Sequence, residues 1–524
     1  MALREGHGLI WVVLIAALVT YRFLLRTPSV KRNGLALRQP PNTLPLVGNG
    51  ILFLQARQKL FSWFVKCERQ FGYETFQITV PTLHPGVVIN DPKNLEYVFK
   101  HEGVFAKGDF FKRRAWDVFG NGIINADGEL WRVMRKAGLH FLNTSNMRVL
   151  TDVALPRYLG QSVDRLKMRA GDGSVVDLQT VFHEITSQLM GKMAYDMEMH
   201  ADDDFTLAFD YASGVTAERF QNPLWFITEQ FTGSRFRSSL AIIRSFGDRI
   251  VESAVSHSRP NGTTDSKDTT DQSCLDTESG SLIQSLLSTL GSQKMVADAA
   301  LNYLSAGRDT VAQALTWSMY LLIENESAAE NVIQEVKGVV DASGESPEDL
   351  GRYGESVHST MFTPASLPYT MAVFYEALRL YPPIPFEIRQ CEEATTLPDG
   401  TFLPHKSVVL WCTWAMNRSR ITWGDDADSF RPERWLTADG KLLPKSASEY
   451  PVFNGGTRTC LGKRMAELMA VQVIATMSLM FDFVPAYQTE RVSKSSLTLP
   501  MEDGLPCYVK ARAHTPDTDS TLES

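Results

Sequence analysis

The chain has 524 residues, 44% of them hydrophobic and 21% charged, which is ample apolar material for a large globular core. A net charge of −8 argues against a nucleic-acid partner, which would need a basic surface. The six cysteines (Cys67, Cys274, Cys391, Cys412, Cys460 and Cys507) form no Cys-x-x-Cys pair, which argues against a zinc site or a disulfide framework and fits a reducing compartment.

The first element is an uncharged, strongly apolar run at residues 8–21. Phe23, Leu24 and Leu25 extend it towards the ~17–25 residues that a membrane-spanning helix needs. Arg22, Arg26, Lys31, Arg32 and Arg38 come next, where a signal peptide would show a small-residue cleavage site. Residues 1–38 therefore read as an uncleaved anchor with a basic flank, which keeps the rest of the chain on the cytosolic side. Pro40, Pro41 and Pro45 stiffen the linker beyond it. Residues 39–512 read as one mainly helical domain with small sheets, its strands expected at 75–80, 87–90 and 407–414. Residues 256–280 are almost free of large apolar side chains and read as a mobile loop, 341–368 as a second polar insert, and 513–524 as a disordered tail.

Four motifs carry chemistry. Trp131 and Arg135 stand at i, i+4 and share one helix face. Residues 292–324 are apolar through much of their length, enough for ~50 Å of helix at about 1.5 Å per residue. Ala306-Gly307-Arg308-Asp309-Thr310 interrupts that pattern. A mid-helix glycine costs about 1 kcal/mol against alanine, and a threonine hydroxyl can bond back to the carbonyl four residues earlier and bend the helix. Glu376 and Arg379 pair at i, i+3 in a helix over 371–380; alone, such a pair is usually a solvated surface contact of little worth. Its meaning changes with Phe430-Arg431-Pro432-Glu433-Arg434-Trp435 downstream. Finally, Cys460 closes the string Phe453-Asn454-Gly455-Gly456-Thr457-Arg458-Thr459-Cys460-Leu461-Gly462. Gly456 and Gly462 allow a tight turn and a close approach to a flat ring. A helix starting at the cysteine would present its N-terminal dipole to a thiolate. The plain alternative is a buried structural cysteine in a glycine-rich turn.

The 453–462 string resembles the haem-ligand signature of the cytochrome P450 superfamily, Phe-x-x-Gly-x-Arg-x-Cys-x-Gly, at every fixed position. The resemblance implies the P450 fold and haem b, with the Cys460 thiolate as axial ligand to the iron. It places Phe453, Gly456 and Gly462 against the ring, and Trp131, Arg135, Arg389 and Arg458 on the propionates. It makes Gly307 room for dioxygen, and gives Thr310 and Asp309 the delivery of protons during oxygen activation. Glu376, Arg379 and Arg434 become a buried structural triad. The implied partners are a membrane, a lipophilic substrate and a reductase passing on NADPH-derived electrons, with or without cytochrome b5. Arg132, Lys136, Lys463 and Arg464 would offer such an acidic donor positive charge.

Four local features are similar to fungal and plant members that hydroxylate long-chain fatty acids and alkanes. They are Arg308 after the glycine of the long helix; Lys107-Gly108 ahead of Gly120-Asn121-Gly122-Ile123-Ile124; Trp423-Gly424 before Phe430–Trp435; and Lys463 after Cys460-Leu461-Gly462. Departures fall at Gly455-Gly456-Thr457, where that branch more often has alanine, glycine and proline, and at Val311, where a second threonine is common. The implied activity is hydroxylation of a long-chain fatty acid at or near its terminal carbon, at the endoplasmic reticulum membrane. The implied channel draws on residues 105–124, 220–236, 299–310, 383–388 and 497–505. The rivals are a monooxygenase of terpenes, sterols or other secondary metabolites, a haem-thiolate isomerase or dehydratase that consumes a hydroperoxide, and a haem sensor.

Overall fold

The computed structural model describes residues 11–18, 30–44, 47–80, 83–257, 281–344 and 361–512. The expected tail, nearly all of the 256–280 loop and most of the 341–368 insert lie outside them. Residues 11–18 are helical and exposed. The rest of the expected anchor is also outside, and among the described residues no helix is long and apolar enough to cross a membrane. Lys31–Arg32, within the basic flank, pairs antiparallel with Thr401–Leu403, and Arg32 and Arg38 bond Glu74 at 2.6 and 2.9 Å.

The long apolar segments form helices that share one continuous core, while the short strands gather into three small sheets among the described residues. The mainly helical character with small sheets is as expected. The three expected strands appear as Phe76–Ile78, Gly86–Val88 and Val408–Cys412, all in one five-stranded sheet. In it Val408–Cys412 runs parallel to Gly86–Val88 and antiparallel to Phe386–Cys391. That arrangement delivers Phe386 and Arg389 to the interior.

Gln293–Glu324 is a single helix of 32 residues with no break in its assignment. Its second half, from Val311 to Leu322, is buried on all sides, as a helix apolar all round must be. It packs against Leu178–Tyr195, Ser234–His257, Pro368–Leu380 and Lys463–Met480. The latter helix begins three residues after Cys460 rather than at it, with a turn at residues 461–462 between them.

Glu376, Arg379 and Arg434 lie together. Glu376 and Arg379 lie in Pro368–Leu380, both fully buried. Arg379 Nε and Nη2 donate to the two Glu376 oxygens at 2.8 Å each, and Arg434 Nε donates to Oε1 at 2.8 Å. The Arg431 N–H and Trp435 Nε1 add donors at 2.9 Å. Arg379 Nη1 reaches the carbonyls of Asn417 and Ala427 at 2.5 and 2.6 Å. Removing one partner would strand a buried charge, at a cost of roughly 3–5 kcal/mol. Arg434→Ala should therefore lower the thermal unfolding midpoint sharply and reduce recovery of folded protein, measured by circular dichroism and yield. An unchanged midpoint would remove the triad from the structural account.

Candidate active site

The site is an interior cavity of about 500 Å³ between the Gln293–Glu324 helix and the 453–462 loop. Cys460, Phe453, Arg458 and Gly462 wall it on one side, Ala306, Gly307, Asp309 and Thr310 on another, and Trp131, Arg135 and Arg389 around the rim. The sequence-named residues thus come together, though 329 positions separate Trp131 from Cys460.

The loop owes its shape to contacts outside itself. Gly456 has φ +62°, and a Cβ there would lie 2.1 Å from the Phe99 carbonyl oxygen. A Cβ at Gly455 would lie 2.2 Å from the Phe99 ring. The bareness of Gly456 thus accommodates the backbone at the end of the Pro92–Lys100 helix. At Gly462 a Cβ would meet nothing within 4 Å, and the residue lines the cavity. Thr457, where the related branch favours proline, donates to Glu102 and ties the loop to the same region. The Cys460 N–H donates to the Phe453 carbonyl at 2.7 Å, which fixes the thiol's direction.

Among the five described cysteines only Cys460 is accessible. Burial pushes the thiols of Cys67 and Cys507 up to about 12, leaving them inert. Cys460 opens only into the cavity and is otherwise walled by protein. That enclosure pushes its thiol up, while a Gly462 N–H and the Arg135 charge pull the other way.

The rim is a charge cluster. Arg458 pairs with Glu102 and Asp127 at 3.0 Å each and lies 4.1 Å over the Trp131 ring. Lys112 also reaches Asp127, at 2.8 Å. Glu387 accepts from Lys107 at 3.2 Å and from Arg389 at 2.7 Å. Burial would raise the Glu387 carboxyl, but those two cations outweigh it and hold it down to about 2. Arg135 spends one nitrogen on the Thr459 carbonyl at 2.7 Å and has no carboxylate among the described residues. Five cations thus face three carboxylates.

On the long helix, Thr310 Oγ1 donates to the Ala306 carbonyl at 2.7 Å, the back-bond expected from its position. Gly307 lines the cavity, and the space a Cβ would take is filled by Met190, whose sulfur lies 2.6 Å from it. Ala306 is exposed and Gly307 half-buried, and both line the cavity. Arg308 is fully buried, 2.5 Å from Asp309 and 3.0 Å from Asp210, with Thr206 at 2.9 Å. Burial pushes the Asp309 carboxyl up against the pull of Arg308, with the Asp210 charge adding to the rise.

Comparison with known proteins is decisive here. The model of the family described as Cytochrome P450 matches residues 38–505. The chain belongs to the cytochrome P450 family. It is 30% identical over 456 residues to "Cytochrome P450 monooxygenase cyp1" of Mycosarcoma maydis, covering 84% of this chain and 69% of that one. It is 27% identical to "Cytochrome P450 94A1" of Vicia sativa over 90% of both chains, and 29% identical to "Cytochrome P450 86B1" of Arabidopsis thaliana over 82% of this chain and 78% of that one.

A P450 is a haem-thiolate monooxygenase supplied with NADPH-derived electrons through a reductase, and the cavity of this one fits the group. One accessible thiol faces it, Gly462 leaves a flat approach beside that thiol, and the rim has two cations to spare for the two propionates of haem b. Several wall residues escaped the sequence reading. Met190, Phe209, Ser213, Ala217 and Leu282 come from helices without a motif, and Phe53, Arg57, Leu60 and Phe64 from the start of the domain. Of the expected 220–236 stretch only Phe220 and Gln221 line the cavity, while Phe226 and Phe231 are exposed. Of the cations expected to face a donor, Arg132 pairs with Glu129 at 3.2 Å and Lys463 lies 3.7 Å from Glu467.

Cys460→Ser should abolish the red-shifted absorption band of the reduced, carbon monoxide-treated protein, the signature of thiolate ligation. Persistence of that band would place the ligand elsewhere.

Proposed function

We propose that this P450 hydroxylates a long aliphatic chain, a fatty acid above all, at or near its terminal carbon. The observation that carries the reading is the wall of the cavity, where Phe53, Phe64, Phe111, Phe119, Phe209 and Phe220 surround the approach to Cys460 and Thr310 with apolar surface. Resemblance to plant and fungal hydroxylases of fatty acids and alkanes supports it. Residues 39–512 are proposed as one catalytic domain, held at the endoplasmic reticulum membrane by the apolar segment ahead of residue 38. Lipophilic substrate would then come from the bilayer.

Bound haem, ligated by thiolate, supplies oxygen activation at the expense of NADPH-derived electrons. The chain's own residues do the rest. In the proposed assignment Cys460 ligates the iron, Phe453, Gly456 and Gly462 shape its seat, and Trp131, Arg135, Arg389 and Arg458 hold the propionates. Glu376, Arg379 and Arg434 keep the loop's half of the fold in place. Thr310 can release its bond to the Ala306 carbonyl and hold a water in the cavity, and the Asp309 carboxyl, already raised towards neutrality, can take up and hand on a proton. Arg308 and Asp210, which is half exposed, connect that carboxyl to solvent. This acid–alcohol pair is what a monooxygenase needs and a hydroperoxide isomerase does not. Apolar walls bind methylenes cumulatively and position the chosen carbon.

Two outcomes are expected. Thr310→Ala should keep consuming NADPH but release peroxide in place of alcohol; unchanged product per NADPH would take the hydroxyl out of proton delivery. Saturated fatty acids should bind more tightly with length, roughly fourfold per methylene at ~0.8 kcal/mol each, until the cavity is full. Spin-state titration and product analysis by mass spectrometry test this. If a sterol or terpene bound more tightly than every fatty acid and alone was oxidised, the long-chain reading would fall.

A further inference from the structure

Arg57 is the cation that the assignments above leave without work. It opens the Arg57–Phe71 helix, lines the cavity, and is 6% exposed. Among the described residues only Nη1 of its three nitrogens has a hydrogen-bond partner, the Ser496 carbonyl. Nε is buried and bonded to nothing. No described carboxylate pairs with it, and its guanidinium rests 5.3 Å over the Phe61 ring. Burial pulls it down to about 10, so it is still charged at neutral pH. An unpaired, desolvated cation is costly to keep unless something arrives to meet it.

The other cations in the wall are spoken for. Lys107 and Arg389 share Glu387, Arg458 has two carboxylates, and Arg135 lies with Arg458 against the Trp131 ring. Arg57 is not part of that rim. Its Phe61 stacks on Phe386, 5.4 Å between centroids, at the start of the Phe386–Cys391 strand. Arg389 stands three residues further on, about 10 Å away at ~3.3 Å per residue. The same stretch of chain gives the cavity wall the apolar Phe53, Leu60 and Phe64, and Leu497 follows the Ser496 that Arg57 bonds.

We propose that Arg57 binds the carboxylate of the substrate and so sets which end of the chain reaches the reacting centre. The inference rests on the long-chain reading above and adds the headgroup to it. Nε and Nη2 are the two donors left for a carboxylate, and a planar fork meets two carboxylate oxygens where an ammonium would meet one. With the acid end held there, the tail is directed towards Ala306 and Thr310, which gives oxidation far from the acid. Esters and alkanes of equal length would keep the apolar contacts but lose this tether, and with it their fixed register.

The test is a binding titration of the full-length, haem-loaded protein with hexadecanoic acid and its methyl ester, read by the spin-state shift. The unmodified protein should bind the acid about tenfold or more tightly than the ester, the scale of a charge-assisted pair. Arg57→Leu should abolish that preference by weakening the acid alone, and Arg57→Lys should retain part of it. Product position should scatter along the chain in Arg57→Leu. Equal affinity of the unmodified protein for acid and ester overturns the inference without need of any variant. So does an Arg57→Leu protein that still prefers the acid, or one that weakens both ligands alike, which marks a structural role only. In those cases the long-chain reading stands. If the unmodified protein binds neither compound, that reading falls and this inference falls with it.

Discussion

Everything near the cavity depends on one buried carboxylate. Glu376 accepts five hydrogen bonds: two from Arg379, and one each from Arg434, the Arg431 backbone and Trp435. One donor stands three residues from Glu376 and the others 55 or more residues beyond it, so a single charge gathers the helix and the irregular segment that leads to the ligand loop. Arg379 extends the knot to the carbonyls of Asn417, Ala427 and Ser429, groups in loops that no strand or helix would otherwise satisfy. A buried ion pair is a poor source of net stability but an effective means of selecting one arrangement over its rivals. Here it selects the course of a loop-rich region that hydrophobic burial alone would leave underdetermined.

The long helix shows how three consecutive residues can serve three environments. Arg308 turns into protein, towards Thr206 and Asp210; Asp309 is buried beside it; Thr310 faces the cavity. A helix turns about 100° per residue, so successive side chains necessarily diverge. The arrangement puts a raised carboxyl between a cavity and a half-exposed acid without opening a water channel through the core.

What the sequence made legible was whatever depended on local spacing. The Cys460 loop, the i, i+3 pair at Glu376 and the back-bond of Thr310 are short-range patterns whose geometry comes from a few residues. The cluster of Trp131, Arg135 and Arg458 was legible only through resemblance, since nothing local joins positions 131 and 458. What escaped was set by partners distant in the chain. The reason for Gly456 is Phe99, the reason for Gly307 is Met190, and Glu387 matters because strand pairing brings Lys107 and Arg389 to it. Arg57 has no motif at all, and its interest arises from what it lacks. A glycine reads as backbone freedom along the chain and as a close contact in the folded protein.

The excess of positive charge at the rim bears on how the protein acquires its cofactor. Glu102, Asp127 and Glu387 offset only part of the charge of Arg135, Arg389, Arg458, Lys107 and Lys112, and the surplus would draw a dicarboxylate towards the pocket from a distance. That attraction acts through solvent and is damped by salt within about 8–10 Å at physiological ionic strength. Seated among the same groups, such a dianion would be shielded from the bulk. Capture would therefore be salt-sensitive and retention not, which would separate the speed of maturation from the durability of the mature enzyme.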